Sequence, residues 1–570
     1  MNSFDLSAPF ERHKTKVEDF LGGRDARVTR TSYAMAAFIT IAAFSSLFIV
    51  KRIPVGHYMG DFLAILDGGY RIAQGQWPDV DFAVPHGPWP LVQGWIALEL
   101  TRWFIPFLTY QVTQWLTVLP AAVYLAGRQS TRWRAVSLLG VAAVATLIPY
   151  VMDGENIAGF SYYAGYNRLA TTLLFLTFIW IVTPTRKGFF DASVLGYLLL
   201  ALLATKITGF VVAIGAASFA ALLSPVKRTA LLRAAVFVLV MLFLLQIVTG
   251  WPFAYVTDIR AMIELNKSGI AYALASMVLK TLPGLIAACV LMLAVLPPLD
   301  CAGLPDALRV LRLRPFTLLR SWRAPLMILV IVCGTIASES QNTGSLLLAS
   351  ATALLFTSFP RRRTSANFLN GARVALAVAI LAPWFGSIVY RGAILARQFW
   401  ELSSDPSLAK LLPGTVATRD TTKVAAQLQR LWRLPDPPRA LFSASAETEP
   451  AVFVALAQTV DEAAEEVRRQ SLIQPGMRVM TISSTELFAR LLDAPSPVGV
   501  NLWLDPQRTF GRPPLSALHH YLRDVDAVFM RTCDVDKVYM LLNNIFRPAL
   551  ESAYSRHHLT SCWSVWTRKE

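Results

Sequence analysis

The sequence predicts a mainly α, polytopic membrane protein of about eleven helical spans, closed by a C-terminal extracytoplasmic α/β domain. Three observations predict it. Apolar runs long enough to cross a bilayer recur through roughly the first 390 residues. The runs are continuous, not alternating, so the backbone satisfies its own polar groups as helix. Basic residues collect in every second connection, as they do in loops held in the cytoplasm. Composition agrees: 54% of the 570 residues are hydrophobic and 16% charged, against about 25% charged in a soluble chain. The net charge of +16 would suggest a nucleic-acid partner in a soluble protein. Placed in short loops it does not, and no nucleic acid is expected.

Residues 1–32 read as a polar cytoplasmic tail, and residues 33–390 as the membrane domain. The first apolar stretch follows a charged segment and reads as an uncleaved anchor. Spans are expected at 33–50, 108–126, 135–151, 168–183, 191–206, 208–224, 229–249, 272–296, 325–340, 344–359 and 374–390. One set of connections carries Arg24, Arg27 and Arg30; Arg128, Arg132 and Arg134; Arg186 and Lys187; Lys227 and Arg228; Arg309 through Arg323; and Arg361, Arg362 and Arg363. The other set (51–107, 152–167 and 250–271) is longer and poor in basic residues. The positive-inside rule puts the first set, with the N-terminus, in the cytoplasm. An odd number of spans then puts the C-terminal domain outside the cytoplasmic membrane.

The first outer loop, 51–107, holds two amphipathic stretches, residues 61–75 and 89–104. Both are expected as helices lying at the membrane interface, anchored by Trp77, Trp89, Trp95 and Trp103, with Asp67 and Arg71 paired on the wet face. Between them PDVDFAVPHGPWP is too rich in proline for regular helix. Residues 391–570 have the composition of a soluble domain. GMRVMTIS, VGVNLWL, DAVFM and LTSCWSVWT read as strands; TELFARLLD, LSALHHYLRD and VDKVYMLLNNIF read as helices; QLQRLWRLPDPPR reads as a polar connector. Strands alternating with helices make an α/β layer, and no glycine-rich phosphate loop follows a strand. Cys289, Cys301 and Cys333 lie in or beside apolar spans and read as inert, whereas Cys533 and Cys562 can form a disulfide outside the cytoplasm.

Several residues can carry chemistry. Asp61, at the outer end of the first span, fits a general base that takes a proton from an attacking hydroxyl, or a helix N-cap. Asp79, Asp81 and His86 fit an acceptor or cation site, or a polar loop; Asp153 and Glu155 fit a second acidic partner of Asp61, or a solvated loop. Arg168, Lys206 and Lys280 stand near the outer ends of spans, against the charge bias. Cations there suit a phosphate, or snorkel to lipid headgroups. Glu339, Gln341 and Asn342 sit in a short outer turn that can reach the same cavity. His519, His520, His557 and His558 are adjacent pairs whose neighbours point apart, and they read as surface or core histidines.

GDFLAILDGGYRIAQGQWPDVDFAVPHGPWP resembles the first outer loop of the GT-C glycosyltransferases, which include protein O-mannosyltransferases and aminoarabinose transferases. The resemblance runs through Asp61, the helix at 61–74, and Gly75, Pro78, Asp81, Pro85, Gly87 and Pro88; GYNRLATTLLF around Arg168 and ATKITGF around Lys206 are similar too. It implies a polyprenyl-phosphate sugar donor in the outer leaflet, an envelope lipid, polysaccharide or protein as acceptor, Asp61 at the catalytic acidic position and inversion at the anomeric carbon. Many members carry two adjacent acids at that position. Here Phe62 follows Asp61, so no metal is expected from it and a divalent cation is left open. A transporter or flippase, or a non-catalytic component of envelope polysaccharide assembly, are the other readings the sequence leaves standing.

Overall fold

The computed structural model describes residues 26–149, 160–162, 165–184, 188–267, 323–339, 396–403, 405–432, 449–506, 508–533 and 537–569, with isolated positions between 271 and 394. The spans expected at 344–359 and 374–390, and most of 272–296, lie outside the described residues, as do Asp153, Glu155, Lys280, Gln341, Asn342, Cys289, Cys301 and the side chain of Glu339.

The described architecture is mainly helical. Helix α1 (Ala26–Ile49) turns Ala36, Ile39, Ala43 and Leu47 inward, yet shows Phe38, Ile41, Phe44 and Phe48 on its outer side. Apolar on both sides, it suits a lipid surround. Strand β1 (Ile53–Pro54) and helices α2 (Met59–Ala73) and α3 (Trp89–Glu99) fill the first connection. Then follow α4 (Pro106–Gly127), α5 (Arg132–Leu147), α6 (Gly165–Val182), α7 (Phe189–Thr205), α8 (Ile207–Leu223), α9 (Pro225–Thr249), α10 (Trp251–Asn266) and α11 (Arg323–Glu339). Helices α1, α4 to α9 and α11 overlie spans expected from the sequence. Of these, α1, α6 and α9 are long and apolar enough on their own to cross a membrane.

Helix α6 is the hub, buried from Asn167 to Ile181. Helix α9 stands at the periphery and exposes Leu232, Val236, Leu239, Phe243 and Ile247. Small residues let the helices approach, as they do in lipid, where close backbone contact replaces the hydrophobic drive. Helix α8 buries Ala213, Ala216, Ala217 and Ala220. On α7, a side chain at Gly196 would begin 2.7 Å from the Phe237 ring. At one end of the bundle Arg128 Nη1 donates to Asp191 Oδ1 at 2.6 Å, and the Tyr124 hydroxyl donates to the same oxygen at 2.7 Å.

The C-terminal residues form β2 (Leu402–Ser403), α12 (Pro406–Leu411), β3 (Thr415–Thr418), α13 (Arg419–Trp432), α14 (Glu449–Gln470), β4 (Val479–Ile482), α15 (Leu515–Tyr521), β5 (Ala527–Arg531), α16 (Lys537–Ala553), β6 (Tyr554–His558) and β7 (Trp563–Arg568). One sheet has the order β4-β5-β7-β6, with β4 and β5 parallel and the rest antiparallel. A disulfide joins Cys533 to Cys562 beside it. A second, small sheet has the order β1-β3-β2, so a strand of the first connection pairs with the C-terminal part.

The structure corrects several expectations. Helix α2 is covered by protein and not laid open on its apolar face: Phe62, Leu63, Ile65 and Leu66 share a core with Val454, Val460, Phe488 and Trp563. Asp67 and Arg71 pair as expected, at 3.0 Å, but both are buried, not wet. TELFARLLD forms turns instead of a helix. The half-buried Glu486 carboxylate accepts from the backbone N–H groups of Leu487, Phe488 and Ala489, which ties that segment into a compact turn. VGVNLWL is no strand. It makes one isolated bridge, Asn501 to Ala83 of the segment between α2 and α3. The polar connector begins inside α13, where Leu428 and Trp432 are buried.

Candidate active site

The site is assembled from four pieces at one end of α6. The first is the turn into α2. Tyr58 adopts a left-handed backbone (φ 58°) and is the N-cap, its N–H donating to Glu449 Oε1 at 2.9 Å. Asp61 is therefore not the cap expected of it: it stands in the first turn, half-buried, where the helix N-terminus favours a carboxylate. Residues 55–58 run beside 160–162, with Tyr162 N–H donating to His57 O at 2.8 Å. A side chain at Gly56 would begin 2.2 Å from the Phe160 carbonyl, so only glycine allows that approach.

The second piece is an aromatic wall. Phe62 lies 5.0 Å from Phe107, 5.5 Å from Tyr110 and 5.9 Å from Tyr162, ring centre to ring centre. Tyr110 is its pivot. Its hydroxyl lies within electrostatic reach of both Asp61 and Arg168. Gly165, at the start of α6, leaves room for it: a side chain there would begin 2.5 Å from the Tyr110 ring.

The third piece is cationic. Arg168 is fully buried, and its Nη1 donates to the Ile148 carbonyl at 2.7 Å. Lys206 is the single extended residue (φ −160°, ψ 118°) between α7 and α8, which breaks the apolar run. Its Nζ donates to Asn167 Oδ1 at 2.8 Å, one residue from Arg168. Lys206 is thus tied to the residue that precedes Arg168 on α6.

The fourth piece is the proline-rich segment. Gly87 N–H donates to Thr205 O at 3.2 Å, and a side chain at Gly87 would begin 2.2 Å from Ala204 O. The His86 ring lies 4.5 Å from Tyr166. Burial, with Lys206 adding to it, pushes the His86 imidazole down to about 4, so it is neutral near pH 7. Its Nδ1 bonds the Gly87 carbonyl, which makes Nδ1 the donor and leaves Nε2 as a buried acceptor with no hydrogen-bond partner among the described residues.

Asp79 and Asp81 do not converge on one ligand. Asp81 Oδ2 accepts from Trp77 N–H at 2.6 Å and closes a tight turn. Asp79, with φ 62°, points the other way and accepts from Trp251 Nε1 at 3.0 Å. Its second oxygen is buried toward Asp258 of α10, close enough for the two carboxyls to act on each other. Burial first, and Asp258 second, push Asp79 up to about 9, so the pair holds a proton at pH 7.

The described geometry sets Asp61 and Arg168 about Tyr110, and His86 and Asn167 about Lys206, while Asp79 and Asp81 bond to Trp251 and Trp77. Sequence reading missed Tyr110, Asn167 and Asp258. Asn167 stood beside Arg168 in GYNR, and Asp258 was a lone acid in the aromatic run WPFAYVTD; either was a usable signal. Among the described residues no three His, Cys, Asp or Glu side chains gather as a metal site.

No family model matches the chain, and no curated protein sequence matches it. Among solved structures, the crystal structure of ArnT from Cupriavidus metallidurans bound to undecaprenyl phosphate is similar over 94% of this chain and 97% of that one, at 12% identity and a TM-score of 0.41. An overlap of that order leaves the chemistry to be argued from the residues.

Proposed function

We propose that the chain is an integral-membrane glycosyltransferase. It takes a sugar from a polyprenyl-phosphate donor and passes it, with inversion, to an envelope glycan, lipid or protein at the outer face of the cytoplasmic membrane. In this reading residues 33–390 form the membrane domain, residues 391–570 stand outside with the Cys533–Cys562 disulfide, and the N-terminus is cytoplasmic. The observation that carries it is a half-buried carboxylate, Asp61, and a buried cation, Arg168, both acting on the Tyr110 hydroxyl, with a second buried cation, Lys206, bonded to Asn167 next to Arg168 in the chain.

The step follows from those groups. Asp61 takes the proton of an acceptor hydroxyl as its oxygen bonds to the anomeric carbon. The carbon–oxygen bond to phosphate breaks on the opposite face, and the electron pair leaves with the phosphate. Arg168 offers a planar fork and Lys206 a point charge to that growing negative charge, in a site where burial strengthens both. No nucleotide sugar is needed. Lys280, Asp153 and Glu155 remain candidates for the same machinery from sequence alone.

A transporter or flippase is the second reading, favoured by the helix break at Lys206, since interrupted helices line many transport paths. One experiment separates the two. Purified protein in nanodiscs, given a polyprenyl-phosphate sugar and cell-envelope extract, should move the sugar to acceptor, and Asp61→Asn should lower that rate by about 10²–10⁴-fold. Undiminished transfer in the variant removes Asp61 from the reaction; relocation of intact donor without cleavage supports the carrier.

A further inference from the structure

A cavity of about 680 Å³ opens between the C-terminal loops and the end of α10. Its size is that of a small-ligand site. Leu265 of α10 forms one wall; Asn501, Phe510, Tyr521, Arg512 and Arg523 form much of the rest. The wall is firmly built. Asn501 N–H donates to the Tyr521 hydroxyl at 2.8 Å, and Asn501 Nδ2 donates to Thr509 O at 2.9 Å. Phe510 packs at 5.4 Å from Tyr521 and 5.3 Å from Phe546.

Its charge is one-sided. Arg512, Arg523 and His520 are exposed at the rim. The acid there, Asp524, is already engaged: it pairs with Arg478 and accepts from Val498 N–H. The opening therefore presents two guanidinium forks beside aromatic faces. Guanidinium forks match carboxylate or phosphate in a bidentate way, and aromatic faces suit the C–H faces of sugar rings.

The cavity is also wired to the candidate active site. Its wall at 499–502 is laced to the first outer loop: Gly499 N–H donates to Asp81 O at 2.6 Å, Ala83 N–H to Val500 O at 3.2 Å, and Leu502 N–H to Ala83 O at 2.9 Å. His86, against Lys206, follows Ala83 by three residues, a span of at most about 11 Å.

We propose that this cavity binds an acidic saccharide, held through its carboxylate or phosphate by Arg512 and Arg523, as the docking site of an anionic glycan acceptor. Only the word acceptor rests on the glycosyltransferase reading; the binding does not. The acidic sugar can belong to a free polysaccharide or to a glycolipid headgroup, and the cavity would read the same chemistry in either.

The test uses the full-length protein in phosphatidylcholine nanodiscs and a fluorescent trigalacturonate probe. Binding should weaken with salt, and Arg512→Ala with Arg523→Ala should lower affinity about tenfold or more. Both side chains are exposed, and monodisperse elution of the variant checks its fold. Maltotriose, the neutral control, should bind at least about tenfold more weakly. Unchanged affinity in the double variant, or equal binding of maltotriose, overturns the proposal. Competition by phosphatidylglycerol nanodiscs through the same two arginines also overturns it, in favour of a phospholipid headgroup. Asp61→Asn should keep probe binding. Arginine-dependent binding in a protein that transfers no sugar would sink the transferase reading alone; transfer with arginine-independent binding would sink this inference alone.

Discussion

Asp61 and Asp67 share helix α2, about 120° apart around it, and their surroundings part them. Asp67 is buried, salt-bridged to Arg71 at 3.0 Å, and Arg71 Nη1 goes on to donate to the Pro497 carbonyl at 2.9 Å. Burial raises the Asp67 carboxyl and Arg71 opposes that rise. The pair clamps α2 to the C-terminal part. Asp61 sits half-buried in the first turn and acts on the Tyr110 hydroxyl, as does Arg168 of α6. Residue type and helix are the same, so what separates a clamp from a candidate base is which elements close over each carboxylate.

That contrast can be broken by experiment. Asp61→Asn should cost about 10²–10⁴-fold in transfer with the melting temperature held. Arg71→Ala should do the reverse. Leaving a buried carboxylate without its partner destabilises by about 3–5 kcal/mol, seen in thermal melts, while activity per folded molecule stays near that of the parent. If Arg71→Ala melts normally and loses catalysis, the division between the two aspartates is wrong.

A smaller effect is expected at Arg168. Arg168→Ala should raise the donor KM roughly tenfold, by loss of a charge-assisted contact, with acceptor KM little changed; the opposite ranking argues against phosphate at that place. The smallest concerns the Asp79–Asp258 pair. Asp79 is raised from the usual carboxylate range to about 9. A raised group contributes its stability in full below its unfolded value and loses it as pH climbs through the folded one. The melting temperature should therefore fall as pH rises from about 4 to about 9 and level off above that, and fall less in Asp79→Asn with Asp258→Asn. Parallel curves would show that the pair carries none of that loss.

Much of the helical part was legible because a continuous apolar run states helix locally. Helix α9 and α6 needed no partner to be recognised. The C-terminal part was read less well, for reasons that lie outside each segment. TELFARLLD has a helical pattern, but Glu486 spends its carboxylate on its own neighbours' N–H groups. VGVNLWL alternates like a strand, yet its backbone bonds to the first outer loop. β6, YSRHH, is largely exposed and paired on one side only, so it lacks the apolar alternation that marks a strand. The cations of the site were legible as misplaced charge; Tyr110 was not, since an aromatic in an apolar helix looks like packing until Gly165 is seen to make room for it.

The two-residue ladder between β1 and β3 has a consequence for how the protein is made. Ile53 pairs with Thr415 and Pro54 with Val416, side by side and parallel. During synthesis the early strand must wait, inserted and unmatched, until the late one has been translated. Contacts so distant along the chain form slowly, and the scaffold around Asp61 stays unfinished until then. Until then the turn that carries Asp61 lacks both its partner strand and the Glu449 carboxylate that holds Tyr58.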